Sequence, residues 1–118
     1  MTENVILAKS YSFAVKIVKF CIEIQNTKKE YVLSRQLLKS GTSIGANIEE
    51  AQGSISKAEF IAKVQIALKE AKETKYWLRL LCDSEICNIG FLKKLLIDCS
   101  ELIVIITSIL KSSKEKKT

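Results

Sequence analysis

Residues 40–53 read SGTSIGANIEEAQG and carry three glycines, two serines, a threonine and an asparagine. Local propensity argues for a loop, because glycine costs about 1 kcal/mol against alanine inside a helix. The apolar positions argue otherwise. Leu37, Gly41, Ile44, Ile48 and Ala51 step by 4, 3, 4 and 3, the spacing of one helix face. The stretch therefore continues a helix expected over 29–52. Gly41 lies on its apolar seam and Gly45 and Ala46 lie near it, so a second helix can approach closely there. These glycines serve packing rather than turning.

Working outward, the same periodicity gives three more helices. One is expected over 4–26, where Phe13, Ile17, Phe20 and Ile24 share a face and Lys9, Lys16 and Lys19 fall on another. Gly53 and Ser54 form a turn. Ser56 and Glu59 then make the S-x-x-E capping box that starts a helix. That helix is expected to run to Cys82, with Phe60, Val64, Ala67, Ala71, Thr74, Leu78 and Leu81 along its seam. Asn88 is the expected N-cap of the last helix, which runs to Ser112 and ends in a frayed Lys114, Lys116 and Lys117 segment. The chain has no proline and only four glycines in 118 residues, too few turn formers for a β-rich fold. No repeat or linker interrupts it, so one domain over 1–118 is expected. Long helices joined by short turns pack as antiparallel neighbours. The expected fold is all-α, an antiparallel up-down-up-down four-helix bundle.

Composition excludes several classes. No apolar run is long enough to span a membrane. No positive leader precedes the first apolar residues, so a cytoplasmic location is expected. The cysteines at 21, 82, 87 and 99 read as reduced core thiols. With no histidine and no CxxC, neither a metal nor another cofactor is expected. No P-loop, dinucleotide fingerprint or nucleophile pattern occurs, so the chain does not read as an enzyme. The formal charge of +6 favours polyanionic partners.

Each later helix carries a second seam. In the third helix it is Ile66, Glu70, Glu73, Trp77 and Leu80. In the last helix, Leu92, Leu96, Cys99, Ile103, Ile106 and Leu110 form one apolar seam. Phe91, Leu95, Asp98, Leu102, Ile105 and Ile109 form another. A small monomeric bundle needs one apolar stripe per helix. The surplus implies self-association, with Trp77, Leu102, Ile105 and Ile109 as interface residues. In the second helix the extra seam is polar: Ser40, Ser43, Asn47 and Glu50. With Ser40 level with Glu70 across the hairpin, these residues and Glu73 would form a structural hydrogen-bond network. The alternative is a ligand or catalytic site. Lys69, Lys72 and Arg79, flanked by Lys75 and with Tyr76 among them, project from the solvent side of the third helix. They read as a nucleic-acid-binding stripe, against the plainer reading of a solvated basic face.

SGTSIGANIEEA at 40–51 and ALKEAKETKYWL at 67–78 resemble the family of four-helix-bundle proteins encoded in intervening sequences of bacterial 23S rRNA genes. Ser43, Ile44, Asn47, Ile48, Glu50, Glu70 and Glu73 match its pattern. Ala51 departs where many members have glycine, and Lys39 where arginine is common. The resemblance implies a bacterial cytosolic protein assembling into a ring-like homopentamer. The family includes accessory proteins of diversity-generating retroelements, which look like basic barrels binding nucleic acid and a reverse transcriptase. The expected function is thus a non-enzymatic oligomer that binds structured RNA or DNA through a basic surface. The alternative is a protein-interaction scaffold or accessory subunit.

Overall fold

A computed structural model of the chain describes residues 2–115. Four helices make up the architecture: α1 (Thr2–Lys28), α2 (Val32–Gln52), α3 (Lys57–Ser84) and α4 (Ile89–Glu115). No strand occurs among the described residues. The molecule is a rod of 52 × 20 × 20 Å. The Gly-rich stretch is helical throughout, as its apolar spacing predicts.

Short-range chemistry sets the joints. Lys29 takes a left-handed φ of 55° and ends α1. The Glu30 carboxylate then caps α2, accepting from the backbone N–H groups of Val32, Leu33 and Ser34 at 3.0, 2.9 and 2.8 Å. The second helix therefore starts three residues later than expected. Ser56 caps α3 by accepting from Glu59 N at 3.0 Å, while Glu59 reaches back to Ile55 N rather than to the cap itself. Glu85, with φ of 56°, ends α3. Asn88 Oδ1 accepts from Phe91 N at 3.2 Å and caps α4. Lys114 is helical rather than frayed, and Lys116 and Lys117 lie outside the described residues.

Each helix packs against two neighbours around one core, and α1 and α3 do not face each other. Ser40 meets Thr74 and Glu50 meets Lys63, so α2 and α3 run in opposite senses. Phe13, Ile17, Leu37, Ile44, Leu78, Leu92 and Leu102 are fully enclosed. Burying a side chain of this size contributes roughly 1.5–3 kcal/mol. Close approach of α1 and α2 depends on the glycines. A Cβ on Gly41 would stand 2.9 Å from Ile17 Cγ2, and one on Gly45 would stand 3.3 Å from the Ser10 carbonyl oxygen. Cys99 similarly reaches the α3 backbone, its thiol donating to the Ala71 carbonyl at 3.3 Å.

Candidate nucleic-acid interface

The buried face of α3 is Val64, Ala67, Ala71, Thr74, Leu78 and Leu81. Half a turn away, Lys69, Lys72, Tyr76 and Arg79 step by 3, 4 and 3 and are all exposed. They form one line of about 15 Å along the helix axis. Lys75 is also exposed but lies on the α4 flank, close enough to Cys99 to oppose the rise in its thiol pKa. Tyr76 packs edge-on against Trp77, ring centroids 5.1 Å apart, and keeps half its surface in solvent. An aromatic ring set between cations can stack on a base while the cations track phosphates.

The polar seam is rearranged from the sequence expectation. Ser40 is level with Thr74, one turn along from Glu70. The Thr74 hydroxyl, buried within the bundle, lies 2.9 Å from Ser40 Oγ and 2.7 Å from the Glu70 carbonyl. Ser43 and Asn47 are half-buried and bond to carbonyls of their own helix, Lys39 at 2.6 Å and Ser43 at 2.8 Å. Glu50 is exposed and pairs with Lys63 at 2.8 Å. Glu73 accepts from the Trp77 indole at 3.2 Å, and Glu70 is half-buried. The bonds are therefore separate and mostly local, because serine and asparagine within a helix reach the carbonyl one turn back more readily than a partner helix. Among the described residues, no three His, Cys, Asp or Glu gather as metal ligands would.

The apolar surplus of α4 is also corrected. Leu102 and Ile109 are 1% and 5% exposed within the single chain, so they are not available to a partner. The two seams are adjacent and merge into one broad stripe, Leu92, Leu95, Cys99, Leu102, Ile106, Ile109 and Leu110, that covers the core. Trp77 and Ile105 are half-buried against that core. α4 still exposes Ile97 and Val104, but the longest exposed apolar line is on α1. Tyr11, Val15, Val18 and Ile22 step by 4, 3 and 4 along its outer side, with Tyr11 66% and Ile22 51% exposed. The sequence contains this spacing, but the parallel seam from Phe13 to Ile24 has the same period and carries the larger rings.

The sequence profile of the 23S rRNA-intervening sequence protein family matches residues 2–108. The chain belongs to that family. A crystal structure described as a protein of unknown function from the S23 ribosomal protein family, from Bacteroides thetaiotaomicron VPI-5482, superposes with a TM-score of 0.91 at 47% identity. The match covers 94% of this chain and 99% of that one. No curated protein matches the chain. The intervening-sequence family thus accounts for an all-helical fold, and neither comparison attaches an enzymatic activity to it.

Proposed function

We propose that this intervening-sequence family member is a non-enzymatic, cytoplasmic homo-oligomer that binds structured RNA or DNA. The observation that carries the reading is the exposed line of Lys69, Lys72, Tyr76 and Arg79 on α3. In this reading the up-down-up-down bundles assemble through apolar surface into a ring, five copies by family resemblance. Each copy contributes its +6 charge to one common field. Phosphate contacts dominate and sequence preference is small, because the stripe offers charge rather than base-edge chemistry.

The test is binding of hairpin RNA and duplex DNA across a salt series. Neutralising about five phosphates gives a log–log slope of roughly −4. Absence of binding at low salt overturns the reading.

A second reading is a scaffold for another protein, with the reverse transcriptase implied by the resemblance as one partner class. The α1 apolar face favours it. Complex formation would then change little across the same salt series, since apolar contacts release few counterions.

A further inference from the structure

The groove between α1 and α4 is small at one end, about 110 Å³ beside Lys9, Lys16, Asp98 and Glu101, and larger at the other. Lys9 pairs with Glu101 at 3.3 Å and Lys16 with Asp98 at 3.0 Å across the small end. Further along, Phe20 and Phe91 stack with centroids 5.6 Å apart and planes at 28°. Beside them lies a half-open cleft of about 550 Å³. That volume falls in the range of roughly 300–1,000 Å³ typical of small-molecule sites.

The cleft has an apolar floor and a cationic mouth. Phe20, Ile24, Cys87 and Phe91 supply the floor. Lys19 and Lys28 stand at the mouth, with Glu23 as the one acidic side chain in the lining and the Glu30 carboxylate, which caps α2, near Cys87. Among the described residues neither lysine is held in an ion pair. The Lys28 ammonium is close enough to Cys87 to act on its thiol, although burial has the larger effect and raises that pKa. A ligand that leaves water here must therefore offer apolar surface to the rings and negative charge to the lysines.

We propose that the α1–α4 cleft binds a small amphipathic anion with a flat apolar body and a single carboxylate or phosphate head. The body lies along Phe20 and Phe91, and the head meets Lys19 and Lys28. This site lies between α1 and α4, across the bundle from the α2–α3 pair, is distinct from the α3 stripe, and is independent of the nucleic-acid reading.

The test uses the full ¹⁵N-labelled chain and three probes: 1-naphthoate, 1-naphthyl phosphate and the uncharged 1-naphthalenemethanol. Both anions should shift amides grouped around Phe20, Ile24, Cys87 and Phe91. The tighter of the two identifies the head group. The alcohol should bind about tenfold more weakly than the better anion, the effect of one lost charge-assisted contact. Lys19→Glu with Lys28→Glu should lower anion affinity at least as much, leaving alcohol binding and the melting temperature unchanged. The proposal is overturned by an absence of localised shifts at millimolar probe. It is equally overturned by equal binding of alcohol and anion, by the double variant binding the anions as wild type does, or by shifts centred on the α3 lysines.

Discussion

Thr74 Oγ1 and Ser40 Oγ share a hydrogen bond of 2.9 Å, and both residues are fully buried between α2 and α3. Removing one partner leaves the other with only a carbonyl of its own helix, Glu70 at 2.7 Å for Thr74 and Leu37 at 3.4 Å for Ser40. Thr74→Val or Ser40→Ala alone should therefore lower stability by about 0.5–1.5 kcal/mol, the usual net contribution of one hydrogen bond. Replacing both should cost less than the two single changes together. A denaturant-based double-mutant cycle measures this, and strict additivity would mean that the pair does not interact.

Gly41 sits where α2 crosses Ile17 of α1. A methyl there would meet Ile17 Cγ2 at 2.9 Å, and Ile17 is wholly enclosed with a branched side chain that cannot swing away. Alanine gains about 1 kcal/mol in helix propensity but meets an overpacking cost of roughly 1–3 kcal/mol. Gly41→Ala should thus destabilise the protein. In an Ile17→Ala background the obstruction is gone, and the same substitution should become neutral or stabilising. Equal effects in both backgrounds would show that close approach is not why glycine stands there.

These two positions show what was legible in the sequence and what was not. The helical course of 40–52 follows from the 4-3-4-3 spacing, which outweighs the weak propensities of the intervening residues. Register does not follow, because sliding α3 by one turn preserves every face. Ser40 could meet Glu70 or Thr74 without changing the pattern, and the turn at 53–56 decides for Thr74. Stripe width is equally hidden. Leu102 and Ile109 read as surplus because two neighbouring seams look like two surfaces until helix packing joins them. The direction of α1 is ambiguous for the converse reason: two full apolar seams leave either free to face the core. The basic line on α3 was easier, since exposed lysines and arginines need no packing information.

The outer face of α1 gives the assembly prediction. Val15→Glu with Ile22→Glu places charges on exposed positions and should not disturb folding. If assembly uses this face, the variant should dissociate, because an unpaired charge is costly to bury in an interface. Light scattering should report about five times the 13.3 kDa chain mass for wild type, as a closed ring requires. The variant should report the chain mass. An unchanged mass would move the interface elsewhere, and a monomeric wild type would remove it.

On α3, Lys72 and Arg79 are exposed and lie on the same outward line. Lys72→Gln should weaken binding to all sequences alike and reduce the magnitude of the salt slope by about 1. Lys72→Glu with Arg79→Glu should abolish binding while leaving helicity and subunit mass unchanged. Retained affinity in that double variant would exclude this face as the nucleic-acid contact.

Cys21 and Cys99 supply a prediction that depends on the core alone. Burial raises the Cys21 thiol from 9.0 to about 12, and the Glu30 carboxylate adds to the rise. Burial likewise raises Cys99 to about 12, with Lys75 opposing and Asp98 assisting. Between pH 9 and about 12 the unfolded chain loses these protons while the folded chain keeps them. The folded state then binds more protons, so stability falls as pH rises through that window and is unaffected by these groups below it. Denaturation midpoints for wild type should therefore decline from pH 9 to 11 more steeply than those of a Cys21→Ala, Cys99→Ala variant. The slopes are compared rather than the midpoints, because the variant also loses some packing. Iodoacetamide at pH 8.5 provides the companion measurement. It should modify the half-buried Cys82 and Cys87 well before Cys21 and Cys99. Parallel slopes together with uniform labelling of all four thiols would show that the two core cysteines are not shielded as the packing requires.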